Sequence, residues 1–102
     1  MPQVPIACSL TEEGLVDRVD EWRQLLTTAV ATVDAGDTSA RLLLHGGDDV
    51  LVRAVDLAER EKACCAFFEF GLALDAGGRW LTIAVPEDAA PILRDLLSLA
   101  TD

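Results

Sequence analysis

The sequence predicts an α+β fold: a two-layer sandwich in the order β-α-β-α-β-β-α, with a mixed four-stranded sheet and the helices mainly on one face. Three observations carry this expectation. Apolar residues recur every three or four positions from Leu15 to Val33 and again from Val50 to Cys65, the period of a helix with one buried face. From Phe68 to Leu74 they alternate with polar or small residues, and Gly77-Gly78 joins this stretch to a second strand pattern, Trp80 to Val85. The chain has 102 residues, enough for a single domain, residues 1–102, with one core.

The elements follow in order. Gln3 to Cys8 reads as a short strand, and because proline cannot donate to a ladder, the strand either lies at an edge or begins after Pro5. Ser9 and Glu12 fit a capping box, and Glu12 and Glu13 suit the positive end of the helix that follows. That helix is expected to reach about Asp34, with Leu15, Val19, Trp22, Leu26, Ala29 or Val30, and Val33 on its inner face. Arg41 to His45 is a second strand, apolar on both faces and therefore central. Gly46-Gly47 ends it, Asp48 or Asp49 caps a second helix, and that helix runs from Val50 to about Ala66. After the hairpin, Pro86-Glu87-Asp88 opens a last helix whose apolar face is Ile92, Leu93, Leu96 and Leu97. The two β-α-β crossovers are expected to be right-handed. This order resembles the two-layer fold of the C-terminal domain of a translation initiation factor and of small bacterial sulfur-transfer proteins, a likeness of architecture that implies no function.

Charge narrows the functions. The formal net charge is −10, from 18 acidic and 8 basic side chains. Such a surface repels phosphate backbones and anionic membranes, so direct nucleic-acid binding and membrane association are not expected. The N-terminus lacks the basic region and long apolar core of a signal peptide, and a cytoplasmic location is expected. Three cysteines in such a chain read as free thiols, ligands or redox groups rather than as a disulfide framework.

The chemistry concentrates in Glu61-Lys62-Ala63-Cys64-Cys65-Ala66-Phe67-Phe68-Glu69-Phe70. On a helix advancing about 100° per residue from Val50, the apolar stripe centres at about 40°; Glu61 falls at about 20°, Cys65 at about 60°, and Cys64 on the stripe's edge at about 320°. Glu61 and Cys65 are thus neighbours on the buried face. An unpaired carboxylate in an apolar layer costs several kcal/mol or else protonates, so Glu61 requires a partner. Arg18, Arg23, Arg41, His45, a backbone amide or a metal are the candidates. One reading is a structural pair with an arginine of the first helix. The other is service to the thiols, by orienting one, accepting its proton or joining it as a ligand.

The cysteines also admit two readings, because Cys packs as a small hydrophobe. A helix C-terminus and a nearby carboxylate both raise a thiol pKa, and Lys62 lowers it only by folding back. A thiophilic cation would supply the missing positive charge, and soft thiolate sites select copper(I), zinc and mercury(II). Cys8 is the natural third ligand. Regular crossovers would hold it one strand length from Cys65, on the order of 15 Å, so a three-cysteine site requires a different first strand, a tilted helix or a second subunit. His45 reads as a turn residue, and Gly46-Gly47 lacks the longer pattern of a phosphate loop.

The motif Glu61-x-x-Cys64-Cys65-x-Phe67-Phe68-x-Phe70, with Ala7-Cys8-Ser9-Leu10 and Glu21-Trp22 upstream, resembles a group of small uncharacterised bacterial proteins, with related segments beside regulators of the mercury-resistance type. The resemblance implies thiol-dependent binding of a soft metal or metalloid by Cys8, Cys64, Cys65 and Glu61. Three functions are therefore expected to compete: a binding or sensing domain for zinc, copper(I), mercury(II) or a metalloid; a thiol redox or sulfur-transfer enzyme using Cys64 or Cys65; and a non-catalytic module that forms a homodimer through free sheet edges and Phe67.

Overall fold

The computed structural model describes the chain over residues 12–101, side chains excepted at 12–16, 48, 64 and 101. Helix α1 (Glu12–Thr28) buries Trp22, Leu25 and Leu26, spaced three and four apart as an amphipathic helix requires. It stops well before the expected Asp34. The hydroxyls of Thr27 and Thr28 donate back to the carbonyls of Arg23 (2.7 Å) and Gln24 (2.5 Å), a competing bond that weakens a final turn. Beyond them Val30, Thr32 and Val33 are β-branched and favour extended backbone.

Residues expected to finish the helix instead form strand β1 (Val30–Ala35), which turns at Gly36 and pairs antiparallel with β2 (Ser39–Leu44). Apolar positions 26, 29, 30 and 33 fit the helical period, which is why periodicity alone misassigned this stretch. The expected strand at residues 3–8 lies outside the described residues.

Gly46 ends β2 with φ +116°, and a Cβ there would stand 2.7 Å from the Val50 side chain. This tight turn admits helix α2 (Asp48–Cys64). Strands β3 (Glu69–Asp75) and β4 (Gly78–Ala84) form the expected hairpin. Asp75 Oδ1 accepts from the N–H groups of Gly77 (2.8 Å) and Gly78 (3.1 Å) and from Trp80 Nε1 (3.1 Å). Helix α3 (Ala90–Ser98) carries Pro91 in its first turn, where the missing N–H costs nothing.

The fold is α+β with three helices and a four-stranded sheet in the order β1-β2-β4-β3. Every neighbouring pair is antiparallel, which corrects the expectation of a mixed sheet. The reason lies in β4. It slots between β2 and β3, so the two strands joined through α2 run in the same direction without touching. Leu42, Leu44, Leu81 and Ile83 are buried in one cluster with Trp22, Leu25, Leu26, Ala54, Leu57 and Leu93. The intervening residues lie on the other side of the sheet, where the Arg41 guanidinium sits 4.2 Å from the Trp80 ring centroid. No helix among the described residues is long and apolar enough to cross a membrane.

Candidate functional site at the end of the second helix

The last turn of α2 places Glu61 and Cys65 on the buried face, one turn apart. Glu61 is 8% exposed and Cys65 is 2% exposed. The carboxylate has the partners its burial demands. Its Oε1 accepts from Arg18 Nη1 at 3.1 Å and from Trp22 Nε1 at 2.9 Å. Residues 18 and 22 are one turn apart on α1, so both donors lie on the same face of that helix. Of the candidates read from the sequence, Arg18 is the arginine found. Trp22 reads from the sequence only as a core residue, yet its indole N–H is the second donor. A buried tryptophan N–H needs an acceptor, and this was the available signal.

The other cationic candidates lie elsewhere. Arg23 bonds Asp20 at 3.0 Å on the exposed side of α1. Arg41 stacks on Trp80 and lies 3.7 Å from Asp34. His45 is exposed at the end of β2, its backbone N–H donating to Ala29 O at 2.8 Å.

Cys65 is the residue that ends α2. Its N–H donates to Glu61 O at 2.7 Å, and its own carbonyl accepts from Phe68 N–H at 3.2 Å. Two backbone bonds thus fix the turn that carries the thiol position. Lys62 Nζ donates to Ala66 O at 2.5 Å and caps the same turn, as a cation at a helix C-terminus should. Phe67 stacks on Phe68 with ring centroids 4.6 Å apart, Phe68 on Phe70 at 5.3 Å, and Phe70 on Trp22 at 6.0 Å. Phe67 is partly buried and packs against the core cluster.

Cys65 is disulfide-bonded, so the expectation of a free thiol does not hold at this position. Cys8 and the side chain of Cys64 lie outside the described residues, and so does the expected meeting of Cys8 with the pair. Among the described residues no group of three or more His, Cys, Asp or Glu side chains is placed to hold a metal ion.

A charged network extends from this site to the surface. Arg60 clamps Glu21 through two bonds, 3.0 and 2.6 Å, and reaches Asp56 at 2.9 Å. Arg18 lies 3.9 Å from Glu21 as well as holding Glu61. The bond from Arg60, aided by the charges of Arg60 and Arg18, outweighs desolvation and lowers the Glu21 pKa below its ordinary 4.5. The same bond raises that of Arg60.

Chemically, the site offers a satisfied buried carboxylate that ties α1 to α2, and beside it a sulfur in covalent contact with another sulfur. Comparison with known proteins adds no relative: no family model, curated protein or solved structure matches the chain.

Proposed function

We propose that the chain is a thiol-based binding or sensing domain for a soft metal or metalloid ion. Cys65 and a second cysteine, Cys64 or Cys8, supply the thiolates once the disulfide is reduced. The observation that supports this reading is the disulfide at Cys65. Two sulfurs able to bond are also able to grip one ion. Zinc binds each thiolate at about 2.3 Å, which sets two ligands roughly 4 Å apart, a separation that side-chain rotation supplies after the bond is broken. Copper(I) and mercury(II) are the softer alternatives. Glu61 acts by holding the end of α2 in place through Arg18 and Trp22, since its Oε1 already accepts two bonds.

Reduction takes two electrons and two protons from two equivalents of an external thiol, which leave joined as its disulfide, so the reading places the domain in a reducing compartment such as the cytoplasm. The same disulfide favours a second reading, a dithiol–disulfide redox function. Burial argues against the enzymatic form of it at Cys65, where a 2% exposed sulfur is poorly placed to attack an outside substrate.

The test is native mass spectrometry and thermal melting of the fully reduced chain with zinc, copper(I) or mercury(II). The binding reading expects a stoichiometric adduct and a raised Tm, both lost in the Cys64→Ala, Cys65→Ala protein. Reduced protein that takes up none of these ions, while cycling reversibly between dithiol and disulfide, would replace it with the redox reading.

A further inference from the structure

Five large apolar side chains are exposed among the described residues: Val33, Val52, Val55, Leu72 and Leu74. Four of them belong to α2 and β3. Val55 and Leu72 line one open groove of about 1180 Å³ between α2 and the sheet. Val52 lies about 160° around α2 from its buried stripe and faces away from the sheet. Leu74 follows Leu72 on the same strand face, in register with Arg79, and Arg79 with Leu44, from which the chain enters α2. Val55, Leu72 and Leu74 therefore form an apolar strip beside the edge strand β3.

The two edges of the sheet differ. Strand β1 carries a register shift between Val30 and Thr32 and a charge at Asp34, two devices that discourage pairing with another chain. Strand β3 is in unbroken register with β4 from Glu69 to Asp75, with neither charge nor proline between those ends. Its far side has no strand neighbour among the described residues. The β1 edge is guarded within its span, whereas the β3 edge carries charge only at its two ends, Glu69 and Asp75.

We propose that this edge and strip form the interface between two copies of the chain. Strand β3 pairs antiparallel with its counterpart across a twofold axis at Gly71, joining two four-stranded sheets into one, with Val55 of each copy flanking the joint. Charge excludes one neighbouring register. With Gly71 on the axis, Phe70 faces Leu72 of the partner subunit, and Glu69 faces Ala73 of the partner subunit. An axis at Leu72 would set Glu69 against Asp75 of the partner subunit, a like-charge pair. The three side chains expose on the order of 300 Å² per copy, the size of a patch that marks an interaction site. Doubled by symmetry to about 600 Å² and extended by the strand backbone, the contact approaches the roughly 1,000 Å² total that a specific interface needs. Each copy carries a charge of −10, so repulsion opposes association and salt relieves it. This inference does not rest on the thiol reading.

Sedimentation equilibrium of the full chain tests it, from low to high micromolar concentration and in low and high salt. The expected result is a dimer that tightens with salt and weakens by about tenfold or more in Leu74→Lys. Leu74 is 72% exposed, so this substitution leaves the fold intact, as circular dichroism will verify. Val33→Lys, on the guarded edge, is expected to leave association unchanged. A monomer at every concentration in high salt overturns the proposal. So does a dimer that ignores Leu74→Lys and is broken by Val33→Lys.

Discussion

The indole Nε1 of Trp22 and the carboxylate Oε1 of Glu61 meet at 2.9 Å across the contact between α1 and α2. The same oxygen accepts from Arg18 at 3.1 Å, so a single atom receives two donors from one helix. This is how a carboxylate survives on the apolar face of α2. It is also why the two helices hold one relative position, since neither donor can slide without stranding the other.

Removing each partner is expected to cost differently. Trp22→Phe keeps the ring packing and loses one hydrogen bond, about 1–2 kcal/mol. Arg18→Ala leaves a buried carboxylate short of its cation, about 3–5 kcal/mol. Urea unfolding of these variants, of Glu61→Ala and of the Arg18/Glu61 double variant gives the coupling between the charges. Additive losses in the double variant would show that the pair is not coupled in the folded state.

The clamp of Arg60 on Glu21 makes stability depend on pH. Glu21 has a folded pKa below its ordinary 4.5, so its contribution is complete above that value and disappears as pH falls through the lower folded value. The pair is partly exposed, which limits the effect to about 1 kcal/mol or less. Stability measured from neutral pH down through the acid limb is expected to lose this component in Glu21→Gln, with the difference from the parent vanishing below the folded pKa. A constant difference across that limb would assign the loss to packing instead.

Much of the architecture was legible because it rests on local signals. Gly77-Gly78, the alternation on either side of it and the Pro91 start of α3 each specify local geometry without help from the rest of the chain. The burial of Glu61 beside Cys65 was legible too, since helical phase alone puts both on the apolar stripe. The strand at Val30–Ala35 was not. Its apolar spacing fits a helix, and the decision came from β-branching and from pairing with β2 in the folded sheet. Antiparallel order was equally hidden, because the position of β4 between β2 and β3 is settled by long-range packing. At the site, position along a helix predicted proximity but not partnership: it gave no means of choosing Arg18 over Arg23, or of seeing that Trp22 would be a donor.

Burial of Cys65 sets a kinetic expectation that separates its roles. The sulfur lies in the core cluster with Phe68, and its backbone is pinned by bonds to Glu61 and from Phe68. An alkylating agent must await local opening, whereas a small ion needs only a side-chain rotation. After reduction, Cys65 in the native chain is expected to react with iodoacetamide at least about 100-fold more slowly than in urea, and a bound soft ion should slow it further. Timed labelling with peptide mapping measures both. Equal rates in native and unfolded protein would mean that Cys65 reaches solvent freely, and would return a nucleophilic role at this position to contention.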